Sequence, residues 1–281
     1  MKNDRILIVG ASGTVGTELL KILKAQKYQT RATTSKPVSS KDDLIPMNLA
    51  TGDGIKDAFE GVDRAFFLSP PGYADQHALL SPLIQEAKRR GLKKVVLMTA
   101  MGANAVETSP FRRAEIELEK SGLNYNIIRP NWFLQNFNTF WLHGILEQNK
   151  ILLPAGNAKV SFIDARDISA VAAKLLTTDH FDRQAFDLTG PEAVDHFQVA
   201  AVLSNVLGRK IEYQDTAPEV LRKTLLNAGA PADYVNFLLM IFGFLKEGYN
   251  ARITSSVQDI AGLKPRTLSQ YAIDYKQIWS K

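Results

Sequence analysis

Three glycines at the junction of an apolar run and an amphipathic helix constrain the fold of this chain most strongly. The run at 6–9 is continuously apolar, which is typical of a central parallel strand buried on both faces. The pattern over 15–25 places an apolar stripe on one side of a helix. Gly10, Gly13 and Gly16 lie between and beside these two elements. They would let the backbone turn tightly and present helix N–H groups to a pyrophosphate, so the stretch predicts a dinucleotide-binding unit.

Short apolar runs alternate with helical patterns over the first 130 residues, as a doubly wound parallel sheet requires. The predicted strands cover 6–9, 30–34, 44–48, 64–68, 94–99 and 125–129, and the predicted helices cover 15–25, 54–59, 75–90 and 111–121. Gly91 and Gly122 stand just past two of these helices, where a helix commonly stops. We therefore expect an α/β fold with a doubly wound parallel sheet of the Rossmann type.

Beyond Pro130 the pattern becomes irregular and rich in aromatic residues. A helix over 164–176 and a short strand over 185–188 continue the earlier alternation. The rest is mostly helical, with one predicted strand over 210–213. The expected division is a nucleotide-binding domain of 1–130 with about 162–190 returning to it, and a smaller, mostly helical C-terminal substrate domain of 131–161 and 191–281.

Composition excludes several classes of protein. The 281 residues contain no cysteine, so a disulfide framework and thiolate metal sites are ruled out, and the histidines lack the spacing of metal ligands. The net charge of +5 comes from basic residues scattered along the chain, which disfavours nucleic acid. The first strand begins at once, and no apolar stretch reaches the roughly 20 residues that cross a bilayer. We expect a soluble, cytoplasmic protein without a metal site, and leave a homodimer open.

The segment after the second predicted strand indicates which dinucleotide is bound. NAD-selective Rossmann domains carry Asp or Glu about 20 residues after the glycines, yet no acidic residue occurs between Glu18 and Asp42. Ser35 and Lys36 lie just past the strand end, where a ribose 2′-phosphate would find a hydroxyl and a cation. Arg31 is a second candidate partner, unless it points to solvent from an alternating strand. The pattern favours NADPH over NADH, with a polar edge of no consequence as the alternative.

The surroundings of the tyrosines in the sequence limit which reactions the chain can catalyse. Short-chain dehydrogenases and sugar-nucleotide epimerases commonly use a Tyr with a Lys four residues later, whose charge lowers the pKa of the phenol. None of the eight tyrosines has a Lys at that spacing. Proton abstraction from an alcohol by such a pair is therefore excluded. Hydride transfer from a nicotinamide to an electrophilic acceptor is left, and it needs a shaped apolar pocket more than a strong base.

Six segments, in order along nearly the whole chain, carry a resemblance to a known family. They are 10–16, 59–71, 112–122, 128–137, 162–168 and 188–191. The chain resembles the NmrA-like family of atypical short-chain dehydrogenases, and within it the NADPH-dependent quinone and azo-dye reductases. The resemblance implies reduction of a small quinone-like or azo aromatic acceptor. A redox-sensing regulatory protein that acts through protein partners is the alternative, because some relatives bind the cofactor without turnover.

The resemblance also implies which residues line the cofactor from adenine to nicotinamide. They lie in the glycine loop and at the ends of successive strands: Gly10, Ser12, Gly13, Thr14, Val15, Thr34, Ser35, Lys36, Asn48, Leu49, Leu68, Ser69, Pro70 and Thr99. Thr99 stands where the family often has Ser. Family members often carry Arg at the position of Ser35, which leaves Lys36 to hold the 2′-phosphate. Many carry Lys or His at the position of Phe111, so no proton donor is expected there.

Three residues are candidates for proton transfer. Tyr73 and His77 follow the fourth strand, at the carboxyl edge where a doubly wound sheet binds ligands, and Thr99 ends the fifth. An ordinary loop tyrosine and a solvated histidine are the alternative, since no orienting partner is visible in the sequence. Asp164 and Asp167 precede and begin a helix, so we expect capping and first-turn charge rather than a pair of catalytic carboxylates.

The aromatic segment after the sixth strand supplies the candidates for the acceptor site. Four aromatic side chains would form a wall for a planar acceptor, unless they belong to a core or an interface: Trp132, Phe133, Phe140 and Trp141. Asn131 and Asn136 would orient the nicotinamide or the acceptor, unless they cap or turn the backbone after Pro130.

Overall fold

A seven-stranded parallel sheet organises the chain, seen in a computed structural model that describes residues 3–37 and 44–280. The strands in these residues are β1 (Arg5–Ile8), β2 (Gln29–Thr34), β3 (Ile45–Pro46), β4 (Arg64–Phe67), β5 (Lys94–Met98), β6 (Tyr125–Pro130), β7 (Lys150–Leu153), β8 (Gln184–Leu188) and β9 (Glu212–Asp215). The sheet has the order β3-β2-β1-β4-β5-β6-β8, and every neighbouring pair is parallel. The order reverses between β1 and β4, which opens a crevice at their carboxyl ends.

Helices cover both faces of this sheet. The helices are α1 (Thr14–Ala25), α2 (Ile55–Ala58), α3 (Gln76–Arg90), α4 (Pro110–Glu119), α5 (Leu142–Gln148), α6 (Ala165–Leu176), α7 (His196–Leu207), α8 (Pro218–Asn227), α9 (Ala232–Lys246), α10 (Ser256–Ala261), α11 (Leu268–Asp274) and α12 (Lys276–Trp279). One apolar cluster joins the sheet to α1, α6 and α10, and another joins it to α2, α3 and α4. The expected doubly wound parallel sheet is confirmed, and the apolar run at 6–9 is buried on both faces because it lies at the centre of the sheet.

A third apolar cluster lies outside the sheet. It joins β7 and β9, a separate pair of parallel strands, to α5, α7, α9, α11 and α12. Trp279, near the end of the chain, is fully buried in it, and its indole N–H donates to the carbonyl of Phe137 at 2.9 Å. Val257 and Ile260 of α10 return instead to the sheet cluster. The third cluster lies apart from the sheet, but α10 packs back onto the sheet. The predicted division into two domains stays a prediction.

Several element boundaries differ from those expected. The predicted strand over 44–48 is shortened to Ile45–Pro46, because a turn closed by Asn48 follows it at once. The predicted strand over 210–213 is found at Glu212–Asp215, in register with β7, which the sequence did not reveal. The helix stop at Gly91 is confirmed by its left-handed backbone, with φ of 66°. Asp164 caps α6 as expected, accepting from the N–H of Arg166 at 2.8 Å.

Over residues 3–37 and 44–280, every helix is too short or too polar to cross a membrane.

Candidate cofactor and acceptor site

The glycine loop joins β1 to α1 at the point where the strand order reverses. Gly10 has a φ of 69°, a left-handed backbone that other residues rarely adopt. Its N–H donates to the hydroxyl of Thr33 at 3.2 Å, and the next N–H donates to the carbonyl of Thr33 at 2.8 Å. A Cβ at Gly16 would lie 2.2 Å from the carbonyl oxygen of Gly10. The loop therefore depends on Gly10 for its turn and on Gly16 for the close approach of α1.

The first turn of α1 is open to an anion. Its N-cap is Gly13, whose extended backbone (φ −90°, ψ 176°) leaves the helix without a side-chain cap, and no acidic residue lies in the turn. Gly13 and Thr14 are exposed, whereas the side chain of Val15 is buried in the sheet cluster. Val15 can therefore offer a ligand only its backbone N–H. Uncapped N–H groups at a helix N-terminus attract negative charge, so the loop fits the pyrophosphate of a dinucleotide.

Among the residues that the structure describes, hydroxyl groups and one exposed cation gather at the end of β2. The hydroxyls of Ser12 and Thr34 share a hydrogen bond of 2.6 Å, and the backbone N–H of Lys36 donates to the Thr34 hydroxyl at 3.1 Å. Ser35 and Lys36 themselves are exposed. Arg31 is held elsewhere, because its guanidinium donates to two carbonyls at the end of α2, at 2.6 and 3.1 Å. Its role is thus structural, while Lys36 remains beside the hydroxyls.

The residues predicted after β3 and β4 complete the floor of the crevice. Leu68 lies over the glycine loop, with its Cδ1 at 3.1 Å from where a Cβ of Gly10 would be. Ser69 and Pro70 are half-buried beyond it. Leu49 packs against the apolar cluster under α3, and the exposed Asn48 accepts from the N–H of residue 50 at 2.9 Å. The structure thus places the predicted cofactor residues along the carboxyl ends of β1 to β5.

Thr99 is bound into a buried ionic network. Its hydroxyl donates to the carboxylate of Glu115 at 2.7 Å. Glu115 is fully buried and also accepts two bonds from Arg129, at 2.8 and 2.7 Å, and one from Arg112 at 3.2 Å. A hydroxyl committed to a carboxylate is a poor proton donor to a ligand, so Thr99 shapes the end of β5. The sequence did not reveal this network, since its members lie on α4 and at the ends of two strands.

His77 has an orienting partner that the sequence did not show. Its Nε2 lies 2.9 Å from a carboxylate oxygen of Glu117 on α4, and the other oxygen accepts from Ser81 at 3.0 Å. The side chains of His77 and Glu117 are 21% and 26% exposed. Tyr73 is 41% exposed, in the loop between β4 and α3. The two candidates therefore differ: His77 is held by a hydrogen bond to Glu117, and Tyr73 is a loop side chain.

Asn131 links distant parts of the chain. Its amide N–H groups donate to the hydroxyl of Ser161 at 2.7 Å and to the carbonyl of Asn250 at 2.8 Å, and its oxygen accepts from the amide of Asn250 at 2.8 Å. Asn131 is buried, so its amide is used in holding the segment after α9 against the end of β6. This long-range link differs from the capping or turning of the backbone considered above, and the predicted orienting role of Asn131 stays a prediction. Asn136 is half-buried, and its carbonyl accepts from the N–H of Trp141 at 3.0 Å.

The two consecutive aromatic residues point into different cores. The ring of Trp132 lies 5.0 Å from Phe242 of α9 and 6.2 Å from Trp141. Phe133 packs instead against the sheet cluster beside α6. Both side chains are half-buried. The predicted aromatic wall stays a prediction, to which the structure adds that Trp132, Phe133 and Trp141 have protein partners of their own, whereas Phe140 is 66% exposed.

The sheet order and the uncapped glycine loop at its reversal define a nucleotide-binding protein of the Rossmann class. The model of the NmrA-like family matches residues 2–272. The chain therefore belongs to the NmrA-like family, and the resemblance found in the sequence is confirmed.

Three known proteins illustrate how the chain relates to others. It is 29% identical to the uncharacterized oxidoreductase YesF of Bacillus subtilis, covering 100% of this chain and 98% of that protein. It is 29% identical to an NAD(P)H azoreductase of Xenophilus azovorans, covering 95% of this chain and 96% of that protein. The fold matches an NADPH-dependent quinone oxidoreductase of Escherichia coli solved with NADPH, with a TM-score of 0.80, 21% identity and coverage of 96% and 99%.

Proposed function

We propose that this protein is an NADPH-dependent reductase that transfers hydride to a quinone-like or azo aromatic acceptor. The observation that carries the proposal is the open first turn of α1 beside the hydroxyls of Ser12 and Thr34 and the exposed Lys36. Relatives named as an oxidoreductase and as an NAD(P)H azoreductase support an oxidoreductase activity. Bound NADPH would supply the hydride, and the residues of the chain would hold and orient the reactants.

The binding roles follow from charge and position. The N–H groups at the start of α1 would hold the pyrophosphate, and Lys36 with Ser12 and Thr34 would face the 2′-phosphate of the adenosine ribose. Arg31 is occupied at α2 and takes no part. Leu68 and Ser69, at the end of β4, would lie toward the nicotinamide. Lys36 is then the cation that discriminates between the two cofactors, so NADPH is preferred over NADH.

The site is less well provided with proton donors than with groups that can bind the cofactor. The chain has no Tyr–Lys pair at the usual spacing, and the hydroxyl of Thr99 donates to Glu115. The Nε2 of His77 is engaged in a hydrogen bond with Glu117. We therefore propose that positioning in an apolar pocket contributes more to the reaction than any single acid.

The cofactor assignment is tested by measuring the dissociation constants of NADPH and NADH by calorimetry, for the unmodified protein and for Lys36→Ala. We expect NADPH to bind at least about tenfold more tightly, a difference of about 1.4 kcal/mol. Lys36→Ala should remove most of that preference and leave NADH affinity nearly unchanged. Lys24→Ala, on the exposed side of α1, is the matched control for loss of one positive charge. Equal affinities in the unmodified protein would refute the preference.

The same purified protein also tests whether the function is regulatory or catalytic. If NADPH binds tightly and is not consumed when quinones or azo dyes are added, the protein is a cofactor sensor rather than a reductase. The predicted division into a nucleotide-binding and a substrate domain also remains a proposal, supported by the apolar cluster that lies apart from the sheet.

A further inference from the structure

Helix α9 begins against the loop that follows β4. The phenol of Tyr234, in the first turn of α9, lies against the backbone N–H of Gly72. Gly72 belongs to the segment between β4 and α3 that also contains Ser69 and Pro70. The start of α9 is therefore anchored beside the part of the crevice assigned above to the nicotinamide end.

The chain leaves α9 at the end of β6. Asn250, four residues past the helix, exchanges hydrogen bonds with Asn131, and its carbonyl accepts from the N–H of Ser161 at 2.9 Å. In the sheet β5 lies between β4 and β6. The two ends of α9 are thus held on either side of β5, whose carboxyl end leads into Thr99.

The burial pattern tells which side of α9 faces the crevice. Val235, Phe242 and Leu245 are buried and anchor the helix in the cluster outside the sheet. Tyr234, Phe237 and Ile241 follow each other at helical spacing on the adjoining flank and are half-buried. The rings of Tyr234 and Phe237 stack at 6.4 Å, with an interplanar angle of 27°. Because Tyr234 meets the β4 loop, this flank faces the crevice.

We propose that Tyr234, Phe237 and Ile241 form the wall that faces the aromatic acceptor, and that the Tyr234 hydroxyl donates a hydrogen bond to an acceptor oxygen or nitrogen. The inference rests on the proposed function, which it deepens by naming the residues that select the substrate. Two apolar side chains give a planar ring its contact surface. The phenol fixes the orientation of the ring through one polar atom.

Two further observations agree with this assignment. Burial raises the pKa of Tyr234, although the nearby N–H of Gly72 lowers it, so the phenol keeps its proton and can donate. Neighbouring Asn236 is exposed and accepts from Arg222 of α8 at 2.6 Å, so the opposite side of α9 meets α8. Helix α8 consequently does not cover the flank of α9 that carries Tyr234, Phe237 and Ile241.

The test measures the dissociation constant of a water-soluble naphthoquinone with saturating NADP⁺ by calorimetry, together with kcat and KM. Tyr234→Phe should raise both the dissociation constant and KM about three- to tenfold, the effect of one lost hydrogen bond. The affinity for NADPH and kcat should change less than about twofold. The matched control is Tyr249→Phe, which removes a phenol that is 69% exposed just past α9 and should change nothing.

A second pair of variants tests the apolar part of the wall. Phe237→Ala should raise the dissociation constant of the quinone about tenfold or more, whereas Met240→Ala, on the exposed side of the same helix, should not. Circular dichroism checks that each variant is folded. Unchanged quinone binding in both Tyr234→Phe and Phe237→Ala overturns the wall, as does failure of the unmodified protein to bind quinone. Quinone binding without NADPH oxidation contradicts the proposed function alone.

Discussion

A buried histidine makes the stability of this protein sensitive to acid. His196 is 1% exposed, and neither ring nitrogen has a hydrogen-bond partner among the described residues. Four aromatic rings surround it: Tyr213 at 5.2 Å, Phe162 at 5.5 Å, Trp141 at 6.0 Å and Phe137 at 6.2 Å between centroids. Burial lowers its pKa to about 4, against smaller opposing effects of Asp195 and Asp215. The imidazole is therefore neutral in the folded protein near pH 7.

The direction of the pH effect follows from that lowered pKa. In the unfolded chain the imidazole has its ordinary pKa of 6.5, so as the pH falls it takes up a proton before the folded form does. The stability that depends on the neutral ring is fully present above pH 6.5 and is lost as the pH falls toward about 4. Between pH 7.5 and pH 5.0 the two pKa values give a loss of about 2 kcal/mol.

The assay is urea unfolding at these two pH values. His196→Phe keeps an aromatic ring in the cluster and removes the titration, so the loss of unfolding free energy on acidification should be about 2 kcal/mol smaller than in the unmodified protein. The control is His143→Gln, since His143 is exposed on α5 and its loss should leave the difference between the two pH values unchanged. An identical acid sensitivity in His196→Phe and the unmodified protein would refute the reasoning.

Four further predictions concern the glycine loop, the buried network and the proton donors. Gly16→Ala should lower the unfolding free energy by about 1–3 kcal/mol in urea, because the added Cβ meets a carbonyl oxygen at 2.2 Å. Gly13→Val should abolish NADPH binding in calorimetry at nearly unchanged stability; retained affinity would contradict the assignment of the loop. Glu115→Ala should cost about 3–5 kcal/mol in the same urea assay, since the buried guanidinium of Arg129 loses two hydrogen bonds and keeps only the more distant carboxylate of Asp187, at 4.0 Å; a loss under 1 kcal/mol would argue against the network. Tyr73→Phe and His77→Ala should each lower quinone turnover by less than about 100-fold in steady-state kinetics, and complete loss in either would identify a dedicated acid.

The local pattern of the sequence was sufficient to predict the strands of the seven-stranded sheet. The run at 6–9 and Gly10 together specify a buried strand followed by a turn with positive φ, and both are found. The capping role of Asp164 was also readable, because a cap depends on a residue two positions away. Such features are set by neighbours in the chain, which a single sequence displays directly.

The side-chain partners in the crevice could not be read in the same way. Asn131 finds its partner 119 residues later, and His77 finds Glu117 40 residues later on another helix. Arg31 lies on β2, from which an alternating strand would let it point to solvent. Its guanidinium instead donates to a carbonyl at the end of α2. These pairings depend on how helices and strands come together, so the sequence left open which polar groups are free for a ligand.

Reductase activity is tested by following the oxidation of NADPH by its absorbance, without oxygen, in the presence of a naphthoquinone, an azo dye or buffer alone. We expect oxidation that requires both protein and acceptor, with one NADPH consumed for each quinone reduced. We also expect Gly13→Val, which should not bind the cofactor, to be inactive. Tight NADPH binding with no acceptor-dependent oxidation would contradict the assignment of this protein as a reductase.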